Sequence, residues 1–152
     1  MEPRIILKPA FTVVGVSCCG EKQVSSTEDL WAQLNMRFHE ILGADPDTGF
    51  GVHCWNGSER KYLAGMAVRG VNNIEVPEGM TSCQLKKHAY AVFPHYGLIM
   101  HLDETVNWIF NDWFPGSGYQ VVENYFFELY DDRFQPGSED SIVFIYVPVE
   151  ER

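Results

Sequence analysis

Two stretches of the chain have helical periodicity, and each is preceded by one strand-like run and followed by two more. Apolar residues recur every three or four positions from Leu30 to Leu42, and again from Leu98 to Trp113. A capping box, Ser25 to Glu28, predicts the start of the first helix and Gly43 its end, and Pro115 is predicted to close the second. The order β-α-β-β therefore occurs twice.

Apolar, β-branched or alternating runs supply the predicted strands. The first runs from Ile5 to Val16 with a bend at Lys8-Pro9, and the Asn56-Gly57 turn joins the next two, 50–55 and 61–71. The remaining runs are 84–95, 123–130 and 141–149. Two such units side by side can share a larger core than one alone. We therefore expect one α+β domain over 1–152, built from a pair of β-α-β-β units (about 1–75 and about 80–152), with an antiparallel sheet and a ligand cleft between the halves.

Composition predicts a folded chain with an acidic surface. Hydrophobic residues make up 45% of the sequence and charged residues 21%, a balance that does not suit a disordered chain. The 21 acidic residues outnumber the 11 lysines and arginines, which gives a net charge of −10. Such a surface repels polyanions and attracts cations. The densest basic run, Lys86-Lys87-His88, is too short for phosphate backbones, so we expect no direct nucleic-acid contact.

Targeting and metal-binding signals are lacking in the sequence. No basic leader precedes an apolar stretch, and no apolar run reaches the length of about 18 residues that a membrane span needs. We expect a cytoplasmic protein that makes no membrane contact and keeps its thiols free. The four cysteines, at 18, 19, 54 and 83, and the histidines form no ligand spacing such as C-x-x-C or H-E-x-x-H. No metal and no cofactor are predicted.

Four segments of the second half together resemble the GyrI-like effector-binding domain. They are Tyr90–Gly97 (YAVFPHYG), Trp113–Tyr119 (WFPGSGY), Phe127–Tyr130 (FELY) and Ile145–Val149 (IYVPV). That family is the small-molecule module of some AraC-type and MerR-type transcription regulators, and it also occurs alone, as in integron-associated proteins. The resemblance covers essentially the whole chain. It implies a duplicated fold, a pair of SHS2-like units with a cleft between them, and, as in the regulators, multidrug-type binding of bulky lipophilic cations around a buried acid.

The residue that matches this acid is Glu128. Strand alternation places it on one face with Phe126 and Tyr130, among aromatic neighbours. A carboxylate is costly to bury unless a positive or hydrogen-bonding group meets it, so a cationic ligand is one partner for it. The alternatives are a solvated sheet edge or a pair with a nearby arginine. Because residues 1–16 already form the first strand, no helix-turn-helix precedes it, and we expect a binding module without its own DNA-reading element.

Aromatic residues on the facing elements are the other candidates for ligand contact, through cation–π attraction and apolar burial. They are Phe11, Trp31, Trp55, Trp108, Phe126, Tyr130 and Tyr146, and Met66 joins them because a thioether adapts to many ligand shapes. For Trp31, Trp108 and Met66, plain core packing stays open as the alternative. Trp55 ends its strand, where it either borders a cleft or caps a core.

The resemblance, taken together with the residues, implies three function classes. The first is an effector-binding protein that senses or sequesters lipophilic, cationic compounds. The second is a GyrI-like hydrolase of electrophilic small molecules, in which the carboxyl acts as general acid or base. No G-x-S-x-G or Cys/His arrangement is present, so we assign no catalytic residue and expect a binding protein rather than an enzyme. The third is a protein–protein inhibitor of the DNA gyrase type, and a partner protein or a homodimer stays open.

Overall fold

A computed structural model describes residues 2–19 and 26–152 of the protein. The strands of this part are β1 (Arg4–Lys8), β2 (Phe11–Cys19), β3 (Gly49–Asn56), β4 (Glu59–Arg69), β5 (Thr81–Leu85), β6 (His88–Tyr96), β7 (Tyr119–Val121), β8 (Tyr125–Tyr130) and β9 (Ile142–Glu151). They form one antiparallel sheet in the order β1-β6-β9-β8-β3-β4-β2-β5, with β7 paired to the far end of β9. The predicted α+β class with an antiparallel sheet is confirmed.

The sheet curls because two long strand runs each divide between its two ends. The predicted bend at Lys8-Pro9 is a break: β1 pairs with β6, whereas β2 pairs with β4 and β5. Proline has no N–H for a strand ladder, so pairing ends there. The predicted run 84–95 divides in the same way, because Lys86 and Lys87 separate β5 from β6. The two edge strands therefore stay close, and the sheet closes toward a half-barrel.

The first helix, α1 (Thr27–Arg37), is shorter than its periodicity predicts. Its capping box is formed by Ser26 and Asp29, each side chain accepting the other residue's backbone N–H, at 3.2 and 3.4 Å. The predicted box, Ser25 to Glu28, begins outside the described residues and lies one position too early. After Arg37 a 3-10 turn (Phe38–Glu40) follows, and the chain is extended from Ile41. Of the predicted apolar stripe beyond the helix, Ile41 is buried with Leu34, whereas Leu42 is 65% exposed.

The second helical segment changes its winding along its length. A 3-10 turn (Ile99–His101) leads into α2 (Leu102–Trp108), then a π-helical stretch (Ile109–Trp113) and the single turn α3 (Phe114–Gly116). Pro115 was predicted to close this helix, and the segment ends one residue after it, at Gly116, where Ser117 becomes extended. The prediction missed β7, which lies between Pro115 and the predicted strand 123–130.

The two faces of the sheet carry separate cores. One face buries a cluster within the curl of the sheet: Phe11, Val13, Phe50, Val52, Leu63, Leu85, Tyr90, Val92, Tyr125 and Phe127. The other face carries both helical segments. α1 covers β2 and β4 there through Leu30 and Leu34, and α2 to α3 cover β6 and β9 through Ile109 and Phe114. The two segments leave a space between them, above β3 and β8.

Candidate ligand-binding site

The space between the helical segments is a cavity of about 850 Å³. This volume falls in the range of about 300–1,000 Å³ that small-molecule sites have. Its floor is the sheet where β3, β4 and β8 meet, and its sides are α1, the two 3-10 turns and the start of α2. Its rim carries apolar side chains from both segments, Phe38, Ile99 and Met100.

Glu128 lies in this floor and is only 3% exposed. Its Oε2 is 2.6 Å from Nε2 of His53, and its Oε1 accepts the hydroxyl of Tyr130 at 2.8 Å. The hydroxyl of Tyr62 also donates to Oε1, at 3.4 Å. These bonds offset the desolvation of the carboxylate. Glu128 therefore lies away from any solvated edge, and within the described part of the chain no arginine pairs with it.

Glycines in β3 make room for this arrangement. Gly51 lies directly opposite Glu128 in the β3–β8 pair. A Cβ on Gly51 would lie 2.7 Å from Oε1 of Glu128 and would overlap the hydroxyl of Tyr62. A Cβ on Gly49 would lie 3.0 Å from the ring of Trp31. The Gly49-Phe50-Gly51 segment thus leaves the cavity face of β3 open, while Phe50 packs on the other face.

Aromatic side chains hold the hydrogen-bonding groups in place. The indole N–H of Trp31 donates to the hydroxyl of Tyr62 at 3.0 Å, and its ring meets that of Tyr130 edge-on at 5.2 Å. The His53 ring stacks on Phe126 at 4.5 Å, with 8° between the planes. Burial, and next the negative charge of Glu128, raise the pKa of both Tyr62 and Tyr130. Both phenols therefore stay protonated at neutral pH and keep donating.

The electrostatic character of the cavity is acidic. Glu28, Asp47, Asp103 and Asp131 line it together with Glu128. Within the described part of the chain, Asp131 is the one of these four with a basic partner, Arg133, whose guanidinium also lowers the pKa of that carboxyl through their hydrogen bond. Among the lining residues that the structure describes, none is a lysine or an arginine. The described lining is therefore acidic, without a lysine or arginine side chain to balance it.

Four of the residues predicted for ligand contact line this cavity: Glu128, Tyr130, Trp31 and Met66. The predicted alternation of the strand is confirmed, because Tyr125, Phe127 and Leu129 pack on the opposite face. Trp31 also packs against the core under α1, so its side chain both fills the core and lines the cavity.

The other five predicted residues do not line the cavity. Phe126 lies against the His53 ring, and Trp55 lines a separate pocket of about 150 Å³ near the β3–β4 hairpin. Trp108 packs near Phe93 under the second helical segment. Phe11 and Tyr146 belong to the core on the other face of the sheet. In their strands, Phe11 and Tyr146 point to the face of the sheet opposite to Glu128. The sequence prediction did not compare the faces of different strands.

Two residues of the site were missed, His53 and Tyr62. Both lie on strands whose existence was predicted, but they reach Glu128 only because β3 pairs with β8 and β4 pairs with β3. One local pattern points to His53: it lies on the same strand face as Gly49 and Gly51, the small residues of an otherwise apolar strand. Within residues 2–19 and 26–152, no three histidine, cysteine or acidic side chains are grouped closely enough to hold a metal ion.

Comparison with known proteins decides the family. The family described as "GyrI-like small molecule binding domain" matches residues 1–150. The chain belongs to this family. The resemblance found in the sequence is thus confirmed, and the GyrI-like chain is a small-molecule binding domain related to transcription regulators. No helix in the described ranges is long and apolar enough to cross a membrane.

One sequence relative and two solved structures are similar to the chain. The GyrI-like chain is 34% identical over 152 residues to the transcriptional regulator BrlR of Pseudomonas aeruginosa, an alignment that covers 98% of the chain but 56% of the regulator. SAV2435 bound to tetraphenylphosphonium has a TM-score of 0.67 at 21% identity, covering 99% of this chain and 94% of that one. An integron cassette protein from the mobile metagenome of Vibrio cholerae has a TM-score of 0.65 at 12% identity, with 99% and 97% covered. The chain thus spans about half the length of BrlR, and the two structures show the shared fold.

Proposed function

We propose that this GyrI-like domain is an effector-binding unit for bulky, lipophilic cations, which bind between α1 and α2 with Glu128 as the counter-charge. The observation that carries the proposal is the cavity itself. A buried carboxylate lies in the floor of an 850 Å³ space whose described lining includes several aromatic rings and no lysine or arginine. Trp31, Tyr130 and Met66 are the ligand contacts we propose beside it, with His53 and Tyr62 added.

The energies favour a cation of this kind. A single positive charge about 6 Å from Glu128 gains roughly 3 kcal/mol at an effective dielectric constant of about 20. Each aromatic face in contact adds about 0.5–2 kcal/mol of cation–π attraction. Apolar groups of the guest gain further from burial against Phe38, Ile99 and Met100 at the rim. A large apolar cation uses all three contributions, whereas a small hydrated one uses only the first.

The relatives support the same ligand class. SAV2435, which shares the fold, is described with tetraphenylphosphonium, a bulky lipophilic cation. BrlR is a transcriptional regulator, and the chain aligns with about half of it. We infer that this domain senses or sequesters its ligand for a regulatory response. With a net charge of −10, it is not expected to contact nucleic acid itself.

Calorimetric titration with two ligands of equal shape tests the proposal. Tetraphenylphosphonium and tetraphenylborate differ mainly in the sign of their charge, so wild-type protein should bind the first and not the second. Glu128→Gln keeps the shape of the side chain and removes its charge, and it should weaken phosphonium binding by roughly 100-fold, the equivalent of about 3 kcal/mol.

A matched control is available outside the cavity. Glu123 also bonds a histidine, His88, at 2.7 Å, but neither residue lines the cavity. Glu123→Gln should therefore leave phosphonium affinity unchanged. Equal binding of the two ligands by wild type, or equal phosphonium binding by wild type and Glu128→Gln, would refute the proposal.

The geometry supports binding better than the hydrolase alternative. A general base needs a free lone pair aimed at the attacking water. The described contacts of Glu128 already include His53, Tyr62 and Tyr130, and its side chain is almost fully covered. Turnover of an electrophilic small molecule that is lost in Glu128→Gln would favour the enzyme instead.

A further inference from the structure

The acceptor capacity of Glu128 is nearly used up within the protein. An ionised carboxylate has about four acceptor positions. Tyr130 and Tyr62 donate to Oε1, and His53 lies 2.6 Å from Oε2. Because an ionised carboxylate can only accept, the Nε2 of His53 carries the proton of this bond. The side chain of Glu128 is only 4% exposed, so the remaining lone pair is not presented to the cavity.

This arrangement treats two kinds of cation differently. A protonated amine is strongly hydrated through its N–H groups, and it loses those bonds to water on entering an apolar cavity. It regains them only if the protein supplies acceptors within reach. A quaternary ammonium or phosphonium ion has no N–H to satisfy, and it feels the charge of Glu128 through space. At Glu128, the covered acceptors therefore penalise the first ion and leave the second unaffected.

We propose that His53 is a specificity-determining residue that makes this site select cations without hydrogen-bond donors. This proposal rests on the proposed function and narrows its ligand class. His53 is the member of the trio that controls access, because its side chain is 32% exposed and lines the cavity while covering Oε2. Stacking on Phe126 and an edge contact with Tyr62 at 4.8 Å hold the ring in that position.

The test compares two ligands with the same apolar part and the same charge. They differ at the charged nitrogen, which carries N–H groups in one ligand and methyl groups in the other. One is diphenylpropylamine, which is protonated at neutral pH as a lysine side chain is, with a pKa of about 10.4. The other is its N,N,N-trimethyl derivative, which carries the same charge permanently. Added methyl groups gain burial of their own, so the readout is the ratio of the two dissociation constants, compared between wild type and variants.

His53→Ala removes both the ring and the donor, which opens Oε2 to a ligand. The preference for the trimethyl ligand should fall by roughly tenfold or more relative to wild type, the size of one charge-assisted hydrogen bond. His53→Gln, whose amide can donate in place of Nε2, should keep the wild-type ratio. His88→Phe disrupts the other histidine–glutamate pair, outside the cavity, and should also keep it. Thermal unfolding of each variant checks that it is folded.

The outcomes separate the two proposals. If wild type binds tetraphenylphosphonium but the ratio is the same in wild type and His53→Ala, the specificity role of His53 is wrong while the cation site stands. The same conclusion follows if His53→Gln loses the preference as fully as His53→Ala does. If wild type binds none of the cations, the proposed function fails and this inference fails with it.

Discussion

Replacing Gly51 with alanine adds a methyl group where the floor of the cavity holds oxygen atoms. The new Cβ would lie 2.7 Å from Oε1 of Glu128 and would overlap the hydroxyl of Tyr62. Overpacking of this kind costs about 1–3 kcal/mol. Displacing Tyr62 also disturbs its hydrogen bonds to Glu128 and Trp31. The net loss of one such bond destabilises the folded state by about 1 kcal/mol. We expect Gly51→Ala to lower the free energy of unfolding by about 2–4 kcal/mol.

Urea unfolding followed by tryptophan fluorescence measures this loss, as a lower midpoint with an unchanged slope. Tetraphenylphosphonium affinity should fall as well, because the methyl group moves the carboxylate. Gly116→Ala is the matched control, since its Cβ would meet no atom within 4 Å and its stability should change by less than about 1 kcal/mol. Wild-type stability and affinity in Gly51→Ala would show that the described packing around Glu128 is incorrect.

Two further predictions concern the supporting structure. Ser26→Ala removes the side chain that caps α1 and should lower the free energy of unfolding by about 1 kcal/mol in the same urea assay, whereas an unchanged midpoint would show that the cap contributes nothing. Tyr62 and Tyr130 have pKa values raised above the ordinary 10.0, so the folded state holds their protons more tightly than the unfolded state does. The resulting stability is present below pH 10 and is lost as pH rises above it. Ultraviolet titration should show fewer ionised tyrosines in folded than in urea-unfolded protein at alkaline pH, and identical titration curves would contradict the burial.

Local sequence patterns predicted much of the scaffold and the central residue. Alternation in the Tyr125–Tyr130 strand placed Glu128 on the face that the structure gives it. The helical stripe from Leu30 placed Trp31 and Leu34 toward the sheet. Patterns of this kind depend only on neighbours a few residues apart, which a single sequence displays directly.

The remainder of the site depends on strand pairing over long distances. His53 and Glu128 are 75 residues apart in sequence, and Tyr62 and Glu128 are 66 apart. Their meeting depends on the register of β3 against β8, where a shift by one residue would turn His53 to the opposite face. Phe11 and Tyr146 lie outside the cavity for the same reason: both are in strands, as predicted, but their register turns them to the other core.

A crystal structure of the protein with tetraphenylphosphonium tests the central claim most directly, because it locates the charge of the ligand. We expect the phosphorus next to Glu128, with phenyl rings against Trp31 and Tyr130 and no direct bond to the carboxylate. A phosphonium bound elsewhere, for example beside Trp55 or on the outer surface, would contradict the assignment of this cavity as the binding site.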